Sequence, residues 1–269
     1  MARIALGIEY DGSAYCGWQQ QAHAPSVQGA LQEALRSVAG HPVQLTAAGR
    51  TDAGVHALMQ VAHFDADVSR PEQAWSLGGT AVAADDLTVL WARPVPDRFH
   101  ARHSALSRTY VYSILNRPLR PALARDRVCW VRRPLDAEAM HRAAQHLLGE
   151  HDFSSFRAAE CQSSTAMRRL LEVFVERCGA TVQITVRANA FLHHMVRNLA
   201  GSLLLVGTGQ RPEAWIAEVL QARDRTLAGP TAPPQGLYFA GVEYPAEFGL
   251  PSGTQASGRL GGRPAGGPP

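Results

Sequence analysis

The chain has 269 residues, 46% of them hydrophobic and 18% charged. Those are globular proportions, and the length suffices for one large core or two smaller ones. No apolar run approaches the roughly 18 residues a membrane span needs and no leader-like segment opens the chain, so a cytoplasmic protein is expected. A net charge of +3 selects no partner by itself.

Ala2 to Tyr10 alternates, with Ile4, Leu6 and Ile8 on one face and Ala5 and Gly7 on the other, which predicts a first strand. A loop rich in Gly, Gln and aromatics runs to Pro25. Ser26 then stands ready to cap a helix whose apolar stripe is Val27, Ala30, Leu31, Ala34, Leu35 and Val38, with Gly40 and Pro42 closing it. Val43 to Thr46 and Leu58 to Phe64 read as strands around a short loop. Pro71 opens a helix to about Val82, and Leu87 to Val95 is a strand. Strand, helix, strand, strand, helix, strand is the ferredoxin-like, split βαβ pattern.

The second half repeats it less cleanly. Ser107 to Leu115 predicts a strand, and Asp136 caps a helix that turns Ala139, Met140, Ala143, Leu147 and Leu148 inward. Strands follow at Arg169 to Glu176 and Thr181 to Arg187, then a long apolar helix over Ala190 to Val206. Pro212 sits in the first turn of another helix, ending near Gln221, and Leu237 to Tyr244 is the last strand. The expected architecture is α+β: two ferredoxin-like (RRM-like) halves, residues 1–105 and 106–250, with mainly antiparallel sheets joined into one extended sheet and a cleft between them. Of the 19 residues from Pro251 on, 12 are Gly, Pro or Ser and none is aromatic. Such a segment buries too little apolar surface to offset its ordering entropy, so 251–269 is expected to be a disordered tail.

All 26 basic residues are Arg, and nine of them fall between Arg98 and Arg133 against one acid, Asp126. Genome composition accounts for much of the Arg-for-Lys bias, but so one-sided a run suits phosphate and favours a nucleic-acid partner. Cys16, Cys129, Cys161 and Cys178 are widely spaced, with no Cys-x-x-Cys pair, so neither a zinc site nor a disulfide framework is expected.

The loop at Gly49-Arg50-Thr51-Asp52-Ala53-Gly54-Val55-His56 carries the chemistry. Two glycines give it the freedom for a close approach, and one carboxylate, Asp52, follows an Arg by two positions. Taken alone, an Arg-x-Asp triplet is most often a surface turn with a weak ion pair. The whole string resembles the signature of the tRNA pseudouridine synthase A family. So do Leu6 to Ser13, Gly17-Trp18-Gln19, Ser26-Val27-Gln28, Phe99-His100-Ala101-Arg102, Arg108-x-Tyr110-x-Tyr112, Phe153-Ser154-Ser155-Phe156, Asn189-Ala190-Phe191, His193 to Asn198 and Gly236-Leu237-Tyr238, in order. Thr80 to Asp86 departs from the family, which usually shows an Asn and a Leu-Pro pair there.

The resemblance implies an isomerase that converts uridine to pseudouridine at tRNA positions 38, 39 and 40, as a homodimer with tRNA as partner and no cofactor. It implies that Asp52 is catalytic, that Arg50 enters the RNA where the uridine leaves the stack, and that Tyr110 binds the substrate base. Leu237 would form an apolar wall beneath that base, although an isolated Leu is ordinarily core. The reaction breaks N1–C1′ and joins C5 to C1′, and one carboxylate is enough to act at C1′, at C6 or on the C2′ proton. Such a carboxylate gains from a guanidinium nearby. Arg197 and Arg50 are the candidates: Arg197 is unusual on an apolar helix, against the plainer reading of an Arg snorkelling to solvent, while Arg50 in the flexible loop fits better in the RNA.

Rival readings are a non-catalytic RNA binder built on RRM-like halves and a metal-dependent nuclease or deaminase. The first leaves the Arg-Thr-Asp loop without a purpose. The second needs a ligand cluster, and His56, His63, His193 and His194 show no metal-type spacing. On a continuous helix His193 and His194 would face different ways, so no metal site is expected.

Overall fold

The computed structural model describes residues 2–251, so the expected tail lies outside the described residues except for Pro251. In chain order the elements are β1 (Ala2–Tyr10), α1 (Val27–Ala39), β2 (Thr46–Ala47), β3 (His56–Ala66), α2 (Gly79–Val82), β4 (Leu87–Val95), β5 (Ser107–Asn116), β6 (Cys129–Val131), α3 (Ala137–Ala144), β7 (Gly149–Asp152), β8 (Met167–Cys178), β9 (Thr181–Ala188), α4 (Met195–Gly207), α5 (Trp215–Ala222) and β10 (Leu237–Glu243).

The strands form one sheet in the order β4-β1-β3-β10-β5-β9-β8-β7, with β2 on β3 and β6 on β5. Pairing is antiparallel except at β10–β3 and β5–β6. The runs β4-β1-β3-β2 and β10-β5-β9-β8 each place last, first, third and second strands side by side, the ferredoxin-like order that the sequence pattern predicts. They meet at a short parallel seam, Tyr238 opposite His56 and Phe239 opposite Ala57. That seam starts where the Asp52 loop ends, so residues from both runs converge there.

The caps behave as their chemistry dictates. Ser26 Oγ accepts the Gly29 N–H at 3.2 Å, and Gly40, at φ 77°, ends α1 in the left-handed conformation that glycine adopts without strain. Asp136 accepts the Ala139 N–H at 2.9 Å and starts α3. The core holds Leu6, Ile8, Leu31, Leu35, Phe64, Tyr112, Ile184, Leu199 and Phe239.

Four features differ from the sequence expectation. The strand expected at Val43 to Thr46 shrinks to Thr46–Ala47, because glutamines of α1 take the backbone groups before it. Gln32 Oε1 accepts the Leu45 N–H, and Gln28 Nε2 donates to the Leu45 carbonyl. The helix expected from Pro71 to Val82 is interrupted by a wide π-helical turn, Ala74–Gly78, which buries Trp75 edge-on against Phe64 at 5.1 Å. The helix expected from Ala190 starts only at Met195, since the His193 backbone bonds elsewhere: its carbonyl accepts the Ala158 N–H and its N–H reaches Cys161 Sγ. Finally, β6 and β7 add strands that the sequence pattern does not predict; both are short, and β7 carries the polar Glu150, His151 and Asp152.

Candidate active site

The Asp52 loop is pinned from below and free above. Thr51 is buried; its hydroxyl meets Tyr10 Oη at 2.8 Å and its carbonyl accepts the Trp18 N–H at 3.0 Å. The Asp52 carbonyl accepts the Val55 N–H at 3.2 Å, closing a turn in which Gly54 takes φ 74°. Gly12 and Gly17 allow the N-terminal loop to press on this turn: a Cβ on Gly12 would stand 2.0 Å from the Val55 carbonyl oxygen, and one on Gly17 2.6 Å from that of Thr51. Gln60 holds the other side, donating to the Gly49 carbonyl at 2.8 Å.

With Thr51 turned in, its neighbours turn out. Arg50 is exposed and has no ion-pair or hydrogen-bond partner among the described residues. Asp52 is 26% exposed, reachable from solvent but ringed by three basic groups. Arg197 Nη1 donates to its Oδ2 at 3.0 Å, His194 Nε2 lies 3.2 Å from Oδ2, and His193 Nε2 lies 3.4 Å from Oδ1.

Arg197 does not snorkel. Its side chain is 14% exposed and bends inward, with Nε donating to the Ala232 carbonyl at 2.8 Å, while its own carbonyl accepts the Ala232 N–H at 3.0 Å. The guanidinium is thus anchored at Nε, and the Arg197 backbone at its carbonyl, to the same residue, Ala232, before Nη1 meets the carboxylate. The first turn of α4 adds the positive end of a helix dipole. Two histidines complete the ring. His194 takes φ 59°, an uncommon conformation for a residue with a Cβ, and this points its imidazole at Asp52 instead of along the helix. Burial, opposed by the Asp52 charge and reinforced by His193 and Arg197, pushes the His194 imidazole below its ordinary pKa, which keeps it neutral at pH 7.

Both histidines therefore face the same carboxylate, with ring centroids 4.0 Å apart. The expectation that they point to different helix faces is corrected: neither stands inside α4, so helical spacing does not apply to them. Asp52, His193 and His194 are also grouped tightly enough to hold a metal ion, a cluster that spacing along the chain cannot reveal because 140 residues lie between Asp52 and His193. The one signal in the sequence is the adjacent His-His pair just ahead of Arg197.

Tyr110 is almost buried on β5, with Phe191 and Phe239 edge-on at 4.9 and 5.0 Å. Burial, then the charges of Tyr10 and Asp52, push its phenol far above the usual range, so it stays protonated. Its hydroxyl has no hydrogen-bond partner among the described residues and lies toward Gly49, where a Cβ would come within 3.8 Å of it. Tyr112 shares that face, but its hydroxyl is occupied, donating to the Pro233 carbonyl at 2.8 Å. Leu237 is buried at the start of β10, opposite Tyr112 and directly after the Pro234–Gly236 turn that borders Gly54.

The arginine-rich stretch divides. Arg108 is structural: its guanidinium donates to the carbonyls of Ala48, Asn189 and Arg102. Arg117, Arg120, Arg125, Arg127, Arg132 and Arg133 are exposed. The 125–127 segment is tied to the site's flank, where Arg127 pairs with Asp11 at 2.8 Å, His56 Nε2 bonds the Asp126 carbonyl at 2.9 Å and Tyr238 donates to the Arg127 carbonyl at 2.5 Å. A hollow of about 970 Å³ beside α3 and α4 lies away from all this, and its acids are engaged, Asp136 in the cap and Glu213 with Arg142.

Two ferredoxin-like strand runs share one sheet with the Asp52 loop at their seam, and comparison with known proteins places the chain among RNA-modifying isomerases. The sequence profile of the tRNA pseudouridine synthase family matches residues 7–104 and 143–245. The chain belongs to that family. It is 58% identical over 252 residues to the tRNA pseudouridine synthase A of Xanthomonas euvesicatoria pv. vesicatoria, covering 93% of this chain and 98% of the relative. The enzyme of the same name from Xylella fastidiosa is 56% identical over the same shares.

Proposed function

We propose that this protein isomerises uridine to pseudouridine in tRNA, at positions 38, 39 and 40 of the anticodon stem-loop, with Asp52 as the reacting carboxylate and without a cofactor. The observation that carries the proposal is the setting of Asp52: a carboxylate at the seam of the two strand runs, open to solvent on one side and held at 3.0 Å by a mostly buried guanidinium that is itself anchored to the Ala232 carbonyl.

The reaction is redox-neutral and consumes no water. N1–C1′ breaks, the uracil turns, C5 bonds to C1′, and the proton lost from C5 is matched by one gained at N1. A glycosidase needs a second carboxyl to protonate a poor leaving group, whereas uracilate leaves more readily, so a single Asp suffices. Arg197 orients the carboxylate and opposes its charge. Tyr110 presents an aromatic ring and a hydroxyl without a partner among the described residues to an extruded base. Arg50, exposed on the same loop and unpaired among the described residues, fills the gap the base leaves in the stack, and Leu237 forms an apolar floor. The exposed arginines from 117 to 133 carry the phosphate backbone. The protein acts in the cytoplasm as a homodimer, one subunit gripping the tRNA body while the other presents its site, and each chain comprises two ferredoxin-like halves that divide near residue 105.

Unmodified tRNA incubated with the purified protein and mapped by a uridine-specific chemical read-out tests this. The wild type is expected to yield pseudouridine at the three positions, and Asp52→Ala to bind tRNA and fold as before yet yield none. Product from the Asp52→Ala protein overturns the assignment.

A further inference from the structure

Nothing in pseudouridine chemistry calls for two imidazoles on the reacting carboxylate, yet the chain adopts a left-handed backbone conformation at His194 to place one there. The separations are informative. An ion held tetrahedrally by imidazole nitrogen and carboxylate oxygen, with bonds of roughly 2.0–2.1 Å, keeps its ligand atoms about 3.3 Å apart. His193 Nε2 stands 3.4 Å from Asp52 Oδ1 and His194 Nε2 stands 3.2 Å from Oδ2, so each imidazole faces its own carboxylate oxygen, and one ligand atom from each of the three side chains lies within 4.8 Å of the others. Their side chains are 37% and 29% exposed, so solvent reaches the cluster.

We propose that Asp52, His193 and His194 form an inhibitory site for an imidazole-preferring divalent metal ion, zinc being the natural probe, and that occupancy takes the carboxylate out of the reaction. Ligand type sets the selectivity. Two imidazoles and one carboxylate suit Zn²⁺, Cu²⁺ and Ni²⁺, while Mg²⁺ prefers all-oxygen octahedra and retains its water, so the Mg²⁺ that accompanies tRNA does not compete. Arg197, 3.0 Å from Oδ2, holds the affinity down by repelling the cation, and the site therefore binds reversibly instead of acting as a structural zinc centre. Only the inhibitory part rests on the function proposed above; the metal site itself does not.

The test is calorimetric titration of the full chain with ZnCl₂ at neutral pH, repeated with Co²⁺, whose visible absorption reports tetrahedral coordination. One ion per chain is expected at micromolar concentration, with affinity at least tenfold weaker in H193A/H194A and, separately, in D52A, each first checked for a wild-type unfolding transition. His100 and His103, with rings 4.2 Å apart, are the competing pair, and a H100A/H103A protein is expected to bind as wild type does. In Mg²⁺-containing assays, Zn²⁺ is expected to abolish pseudouridine formation with the midpoint of the titration, and a chelator to restore it. Equal Zn²⁺ binding by wild type and H193A/H194A, or loss of binding in H100A/H103A instead, overturns the proposal. Tetrahedral Co²⁺ binding by a chain that never forms pseudouridine sustains the metal site and refutes the functional reading instead.

Discussion

Among single residues, the site is a contest over one carboxylate. Two imidazoles and one guanidinium converge on Asp52, and a guanidinium is the side-chain type that keeps its charge throughout the working range. Arg197→Gln keeps hydrogen-bonding capacity but removes that charge. Losing one preorganised electrostatic partner typically costs about 10²–10³ in rate, so single-turnover pseudouridine formation is expected to slow about a hundredfold while tRNA affinity changes less than about tenfold. An unaltered rate would show that the clamp is merely structural. Arg50 offers the contrast: it stands two residues from Asp52 yet makes no ion pair with it among the described residues, while Thr51 between them is drawn into the core by Tyr10.

Among the elements, what matters is how α4 is seated. Gly201 lies where the helix meets the 229–232 segment, and a Cβ there would stand 1.7 Å from the Pro230 carbonyl oxygen. Backbone cannot yield as a flexible side chain can, so Gly201→Ala must push helix and segment apart. Overpacking of this kind costs about 1–3 kcal/mol, and the upper end is expected here, measurable as a lower thermal midpoint. The same segment supplies both Ala232 bonds to Arg197, so activity per folded molecule is also expected to fall. Full activity in a destabilised Gly201→Ala protein would separate the seating of α4 from the clamp.

For the molecule as a whole, two charge effects are measurable. Arg117 and Arg120 are exposed, and the Arg117 guanidinium makes only local bonds, to the carbonyls of Leu119 and Arg120. Neutralising both as R117Q/R120Q is expected to weaken tRNA binding and to flatten the log–log salt dependence, by roughly 0.7–0.9 for each phosphate that is no longer neutralised; an unchanged slope would remove this segment from the phosphate track. The second effect is on acid stability. His63 lies inside β3, accepting the Ala101 N–H at 3.2 Å. Burial, then the charges of Arg3 and His100, push it down to about 4. The unfolded imidazole titrates near 6.5, so between these values the unfolded chain binds more protons. Stability is then complete above about pH 6.5 and declines as pH falls toward 4, by roughly 3 kcal/mol. Urea midpoints across that window are expected to show the decline in wild type and a flatter profile in His63→Gln.

Amino-acid order alone dictates most of the elements and the chemistry on offer. Alternation in β1, the Ser26 and Asp136 caps, Gly40, and the glycine-framed Asp52 loop are local properties, set within a few residues by sterics and hydrogen bonding, and each is legible in the sequence. Pattern also carries the strand order, because a repeated βαββαβ run has few ways to close a sheet. Folding in three dimensions settles who stands next to whom at the seam. The Gln28 and Gln32 side chains erase an expected strand, the His193 backbone trades its helix ladder for Ala158 and Cys161, and His194 turns left-handed. The outcome is that two histidines and an arginine from the far half surround Asp52. Those events depend on interactions between residues far apart in the chain, which periodicity and spacing do not encode.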